Sequence, residues 1–232
     1  MKEKVIIEFP EPTIGGSFKY GWQQMWKYFL YLFLISIIVA IAEFPMFTFN
    51  IHDDHNLIST PLLVILSIMG VAYGLLLLPV INYGADLLFL RAIRNEEVRI
   101  KEMFDGFNNY LNIILAHLLT VAVIGLGFVF FIIPGIIIAC RLVFVPYLVM
   151  DKKLDAIPAV EKSWQMTRGH GWKIFGMALL SILLFILGFI LMFVGAVFAV
   201  IWIGTAFTSL YHAIDREETE ALDQNGVAEQ PA

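Results

Sequence analysis

Every basic residue outside the apolar runs of this chain falls on one side of them. Of the 15 lysines and arginines, Lys2, Lys4, Lys19 and Lys27 precede the first long apolar run, and Arg91, Arg94, Arg99 and Lys101 follow the second. Lys152, Lys153, Lys162, Arg168 and Lys173 stand between the fourth and fifth runs, and Arg216 follows the sixth. Arg141 alone lies inside a run, and no cation lies in a segment that would emerge opposite. Cytoplasmic loops of membrane proteins are the ones enriched in Lys and Arg. The pattern therefore predicts an all-α, polytopic bundle of six transmembrane helices with N- and C-termini both cytoplasmic.

Composition supports the same class. Apolar residues make up 59% of the chain and charged ones 15%, against roughly 45–50% and 25% in soluble domains. That much apolar surface exceeds what a soluble fold of 232 residues can hide. The net charge of −5 owes much to Asp215, Glu217, Glu218, Glu220, Asp223 and Glu229, so nucleic acid, which needs a basic surface, is not an expected partner. Cys140 is the only cysteine, which rules out an intramolecular disulfide. The first 27 residues carry charges, Gly15, Gly16 and aromatics instead of an apolar core with a small-residue cleavage site, so no removable signal peptide is expected. The domains read as a cytoplasmic segment at 1–17, a six-span membrane domain at 18–214 and an acidic, disordered tail at 215–232.

The spans are expected at 28–44, 62–82 with a helical continuation toward Arg94, 111–133, a short 136–150, and a hairpin within 174–214 that turns between Gly188 and Gly195. A bilayer core of ~30 Å asks for about 20 residues per helix, which these runs approach. Pro134 and Gly135 are expected to turn the chain between spans three and four, since proline suits the first turn of a helix. The alternative places that turn at Gly125 and Gly127 and makes Pro134 a kink. Three amphipathic stretches precede spans one, three and five. Phe18, Trp22, Met25, Trp26 and Phe29 recur at helical spacing opposite Lys19, Gln23, Gln24 and Lys27; Ile100, Met103, Phe104, Phe107 and Leu111 form a second stripe; Ile157, Val160 and Trp164 form a third, with Asp155 placed to cap its start. Such helices lie in the membrane interface, apolar face inward and cations toward headgroups. Elbow plus two spans thus recurs three times, a weak internal repeat.

The stretch 132–176 carries Pro134, Gly135, Arg141, Pro146, Tyr147, Asp151, Ser163, Trp164, Arg168, Gly169, Trp172, Lys173 and Phe175. In this it resembles the membrane domain attached to some bacterial glycerophosphoryl diester phosphodiesterases, and related stand-alone integral membrane proteins. The resemblance implies a six-helix domain of a bacterial cytoplasmic membrane and not a reaction. The catalytic part of those enzymes is a separate soluble barrel with metal-binding acids and histidines. No segment of this sequence resembles it, so phosphodiesterase activity is not expected here.

Arg141 is the residue to single out, because a guanidinium in hydrocarbon costs at least ~2.5–3.5 kcal/mol and needs a partner. Counting from the cytoplasmic side of span one and from the outer turn before span four places Glu43 and Arg141 at similar depths in the outer half, and the two are expected to pair. His117 in span three completes the set of intramembrane polar residues, Arg141, Glu43 and His117, that a transporter would use. The bland readings are a helix-packing ion pair and a histidine satisfied inside the bundle. Trp22, Trp26, Trp164, Trp172 and Lys173 are expected as interfacial anchors. Gly70 and Gly74, one turn apart, are expected to let another helix approach closely. The loop with His52, Asp53, Asp54 and His55 offers zinc-type donors, yet so polar a loop is more simply solvated, and no metal is expected. Hydrolase, zinc-protease, phosphate-loop and dinucleotide motifs are lacking, and neither cofactor nor catalytic residue is assigned. The expected function is a non-catalytic membrane protein that organises lipid or a partner protein, with membrane lipids as partners, self-association compatible with it, and a small transporter or lipid translocator as the alternative.

Overall fold

The computed structural model describes residues 10–50, 60–190 and 194–224, all of them helical or in short connections. The helices are α1 (Ile14–Lys27), α2 (Phe29–Asn50), α3 (Thr60–Leu76), α4 (Leu78–Ile93), a 3₁₀ helix (Ile100–Asn109), α5 (Tyr110–Phe130), α6 (Ile132–Arg141), α7 (Val145–Met150), α8 (Ala156–Met166), α9 (Gly171–Ile190) and α10 (Val194–Gln224). Five stretches among the described residues are long and apolar enough to cross a bilayer: Val64–Ile93, Ile100–Phe130, Ile132–Met150, Gly171–Ile190 and Gly195–Gln224. The sixth arises when α1 and α2, bent by 95° at Tyr28, are taken together.

Local sequence accounts for most boundaries. Thr13 starts α1 by accepting the Gly16 N–H on its hydroxyl at 3.0 Å. Two of the second spans are broken shortly before a proline, at Leu77 ahead of Pro79 and at 142–144 ahead of Pro146. A proline lacks the N–H that would bond back into the preceding turn, so the helix restarts there. The turn between spans three and four is a single extended residue, Phe131 (φ −164°, ψ 156°). Pro134 therefore lies inside the first turn of α6 instead of forming the turn itself, and the Gly125/Gly127 alternative is not adopted. Gly127 and Gly135 have another role: a Cβ on Gly135 would lie 2.5 Å from the Phe128 ring, and one on Gly127 3.0 Å from the Gly135 Cα. Both must be glycine for α5 and α6 to lie so close.

The end of α4 is closed by a Schellman arrangement. Asn95 takes a left-handed conformation (φ 59°), its N–H donates to Ala92 O at 3.2 Å, and the Glu96 N–H reaches Arg91 O at 2.8 Å. The α1 helix lies over this end: the Tyr20 hydroxyl donates to Ile93 O at 3.1 Å, and the Lys27 ammonium donates to Asn95 Oδ1 at 2.5 Å. The same helix crosses α10 closely, since a Cβ on Gly21 would stand 2.9 Å from the Ala206 backbone nitrogen. Gly84 likewise admits the backbone of the 3₁₀ helix at Met103 against α4. The fully enclosed large side chains include Met25 of α1, Leu32 of α2, Leu88 and Leu90 of α4, Phe144 in the break before α7, Leu148 of α7 and Tyr211 of α10. Outward-facing apolar residues on α3, α5 and α9 cover the perimeter, as expected where lipid replaces water.

Three expectations change. The second amphipathic stretch is a 3₁₀ helix, held by packing across α4. Asp155 stands at the start of α8 but makes no capping bond; Asn112 of α5 does this instead, accepting the Ala156 N–H at 2.8 Å and donating to Leu154 O at 2.9 Å. Residues 215–224 are not a disordered tail but the last turns of α10, because their acids find cations on neighbouring segments. On α3, Gly70 is buried and Gly74 half-buried, and the Tyr73 hydroxyl donates to Ala42 O of α2 at 2.6 Å. The loop with His52, Asp53, Asp54 and His55 lies outside the described residues, as do residues 1–9 and 225–232.

Candidate functional site

Cations widely separated in sequence gather at one end of the bundle. Lys27 meets Asn95, Arg91 meets Glu102, Lys162 meets Glu218 at 2.6 Å, and His170 stands 3.7 Å from Glu217. At the centre Arg94 forms a fork on Asp151, with Nη1 to Oδ1 at 2.6 Å and Nη2 to Oδ2 at 2.8 Å, and also reaches Asp215 at 3.4 Å. Lys152 neutralises the other oxygen of Asp215 at 3.1 Å, and the Tyr211 hydroxyl donates to Asp151 at 3.2 Å. Burial alone would lower the Arg94 guanidinium. Its bonds to Asp151, and the charges of Asp151 and Asp215, instead hold it above its ordinary value. This knot ties α4, α7 and α10 together, and Tyr147 stacks on Tyr211 beneath it at 4.9 Å.

Arg141 has a different environment. It ends α6 just where the chain breaks, and its carbonyl accepts the hydroxyls of Ser163 at 2.8 Å and Thr167 at 3.2 Å. Ser163 in turn accepts the Phe144 N–H at 3.3 Å, so one α8 serine satisfies both sides of the break. The guanidinium lies over the Trp164 ring, 5.8 Å from its centroid, a cation–π distance. Its Nη1 is buried and has no hydrogen-bond partner. Beside it opens a cavity of about 450 Å³ lined by Ile133, Ile136, Ile137, Cys140, Gly169, Gly171, Trp172 and Phe175. Gly169 makes the α8–α9 connection in a left-handed conformation (φ 80°), and a Cβ on Gly171 would meet only the Arg141 guanidinium carbon, at 4.0 Å. Trp172 stands at the rim, 82% exposed.

The structure does not bring the expected trio together. No ion pair among the described residues joins Arg141 to Glu43. Arg141 is level with the first turn of α9, on the side where the cations gather, whereas Glu43 is exposed on the distal half of α2. Similar depth does not make them partners: the Arg141 guanidinium lies over the Trp164 ring of α8 and beside Gly171 of α9. His117 is half-buried in α5 and meets the Tyr83 ring edge-on at 6.3 Å, apart from both. Among the anchors, Trp164 sits against Arg141, Trp22 packs on Trp202 at 4.7 Å, Trp26 lies near Phe198 at 5.8 Å, and Lys173 is half-buried at the start of α9. Sequence reasoning treated Arg94, Asp151 and Asp215 only as topological charges. Complementary charges at the ends of three spans were the signal that they meet.

A bundle of five or six apolar helices, with its charged ends pinned together and an apolar perimeter, defines a multi-pass integral membrane protein. Residues 112–214, from α5 into α10, match the family described as the membrane domain of glycerophosphoryl diester phosphodiesterase. The matched segment contains Arg141, Asp151, Ser163 and the cavity, and leaves out Arg94, α1 to α4 and the 3₁₀ helix. No curated protein and no solved structure matches the chain.

Proposed function

We propose that this protein is a non-catalytic module of a bacterial cytoplasmic membrane that organises lipid, with both termini in the cytoplasm and its elbow helices lying in the interface. The observation that carries this reading is the gathering of cations and exposed aromatics at one end of the bundle. Trp22, Trp26, Phe104, Phe107, Trp164 and Trp172 all present exposed surface there, beside Lys27, Arg91, Arg94 and Lys162. Tryptophan and cationic side chains together suit the headgroup layer. The right-angled exit of α2 from α1 would lay α1 along that layer while α2 crosses it.

Two measurements test it. Reporter fusions after His55 and at the C-terminus should report opposite sides of the membrane. Extraction in native lipid discs followed by mass spectrometry should recover phospholipid at a constant ratio to protein. Recovery of a stoichiometric protein partner with no enriched lipid would replace lipid by that partner in this reading.

Transport is the second reading, supported by the cavity that reaches Arg141. The apolar walls fit an acyl chain better than a hydrated solute, and Glu43 and His117 lie elsewhere. Loss of solute uptake on Arg141→Ala, with membrane insertion unchanged, would establish it instead.

A further inference from the structure

From the cavity beside Arg141 we infer a binding site for one anionic phospholipid, its phosphodiester on the guanidinium and an acyl chain along Ile133, Ile137 and Phe175. The inference rests on the lipid-organising reading above and assigns that role to one place.

Two features argue for an anion. Arg141 keeps a buried Nη1 without a hydrogen-bond partner, and a charged donor left unpaired away from water is costly until a partner arrives. The cation–π contact with Trp164 holds the guanidinium plane without using its N–H donors. The first turn of α9 lies at the same wall: its first backbone bond runs from Ile174 N–H to His170 O, so the amides of Gly171, Trp172 and Lys173 have no partner within the helix. Those amides add positive potential next to Arg141. Glycine at 169 and 171 keeps the approach to the guanidinium clear of side chains.

Two further features argue that the anion is carried by a lipid. Apart from Arg141 and Cys140 the lining is isoleucine, glycine and aromatic. Ile133 and Ile137 are 71% and 51% exposed on the outward face of α6, where the bilayer would lie. A volume near 450 Å³ falls within the range of ligand pockets, and its single cation suits a headgroup of one negative charge. A free phosphate would gain nothing from the apolar walls.

The test is native mass spectrometry of the full-length detergent-purified protein titrated with phosphatidylglycerol, phosphatidylcholine or inorganic phosphate. The wild type should retain one phosphatidylglycerol in preference to phosphatidylcholine, and millimolar phosphate should not displace it. Arg141→Gln should weaken that retention at least about tenfold, the equivalent of one charged hydrogen bond, and Arg141→Lys should recover part of it. Gly171→Leu, which leaves the arginine in place and fills the cavity, should also expel the lipid. That second variant keeps the test valid should Arg141→Gln fail to fold. Equal retention by wild type, Arg141→Gln and Gly171→Leu would overturn the site while leaving the lipid-organising reading intact. Absence of any retained phospholipid on the wild type would overturn both, and displacement by phosphate would overturn the lipid as the source of the anion.

Discussion

Arg94 and Arg141 both end a helix on the same side of the bundle, yet one is saturated and the other is not. Arg94 has two carboxylates, a fork geometry and a tyrosine supporting its partner. Arg141 has an aromatic ring, a cavity and an idle nitrogen. Within one membrane domain a buried cation can thus be spent on holding helices together or be kept available. The number of hydrogen bonds already formed distinguishes the two uses better than depth does.

Substitutions at these positions put the contrast to the test. The largest effect is expected at the knot: Arg94→Ala leaves the buried Asp215 and the half-buried Asp151 with reduced compensation and should cost about 3–5 kcal/mol. Thermal unfolding in detergent would measure it, and a loss below ~1 kcal/mol would mean that Arg94 is no more structural than Arg141. Next comes Gly84→Ala, where the new methyl would press on the Met103 backbone of the 3₁₀ helix. About 1–3 kcal/mol of overpacking is expected, read as a lower unfolding temperature with the secondary structure retained. Ser163→Ala removes a hydroxyl that serves both sides of the α6–α7 break, and about 1–2 kcal/mol should be lost. Faster amide exchange at Phe144 than at Leu148 would confirm that the loss is local. Arg141→Gln should be the mildest, about 1 kcal/mol or less, because among the described residues no hydrogen bond to its guanidinium is broken and only the cation–π contact with Trp164 is lost. A destabilisation at 141 matching that at 94 would erase the distinction.

How far the sequence could be read follows the same physical division. The positions of the spans were legible, since the length of an apolar run and the thickness of a bilayer are both local quantities. So was the α9–α10 hairpin, where Gly188 lies so close to Gly195 that a Cβ would stand 2.6 Å from its carbonyl oxygen. The gathering of cations at one end was legible as well, because a charge pattern needs only the order of the spans. What escaped was set by contacts between distant segments. The Asn112 side chain caps a helix 44 residues later, and nothing near Asp155 announces that its own carboxylate is not used. The continuation of α10 to Gln224 depends on Arg94, Lys152 and Lys162 arriving beside it. For Arg141 the residue was legible and its surroundings were not: Trp164 and Gly171, which its guanidinium meets, belong to helices further along the chain.

The α5–α6 hairpin has a consequence for biogenesis. Between Thr120 and Cys140 the sequence holds no polar or charged side chain, and its connection is the one residue Phe131. No hydrophilic cargo has to be dragged through hydrocarbon when these two helices insert. They can enter from one face as a preassembled pair, without a translocated loop and with no far-side handle for a protease or a water-soluble label.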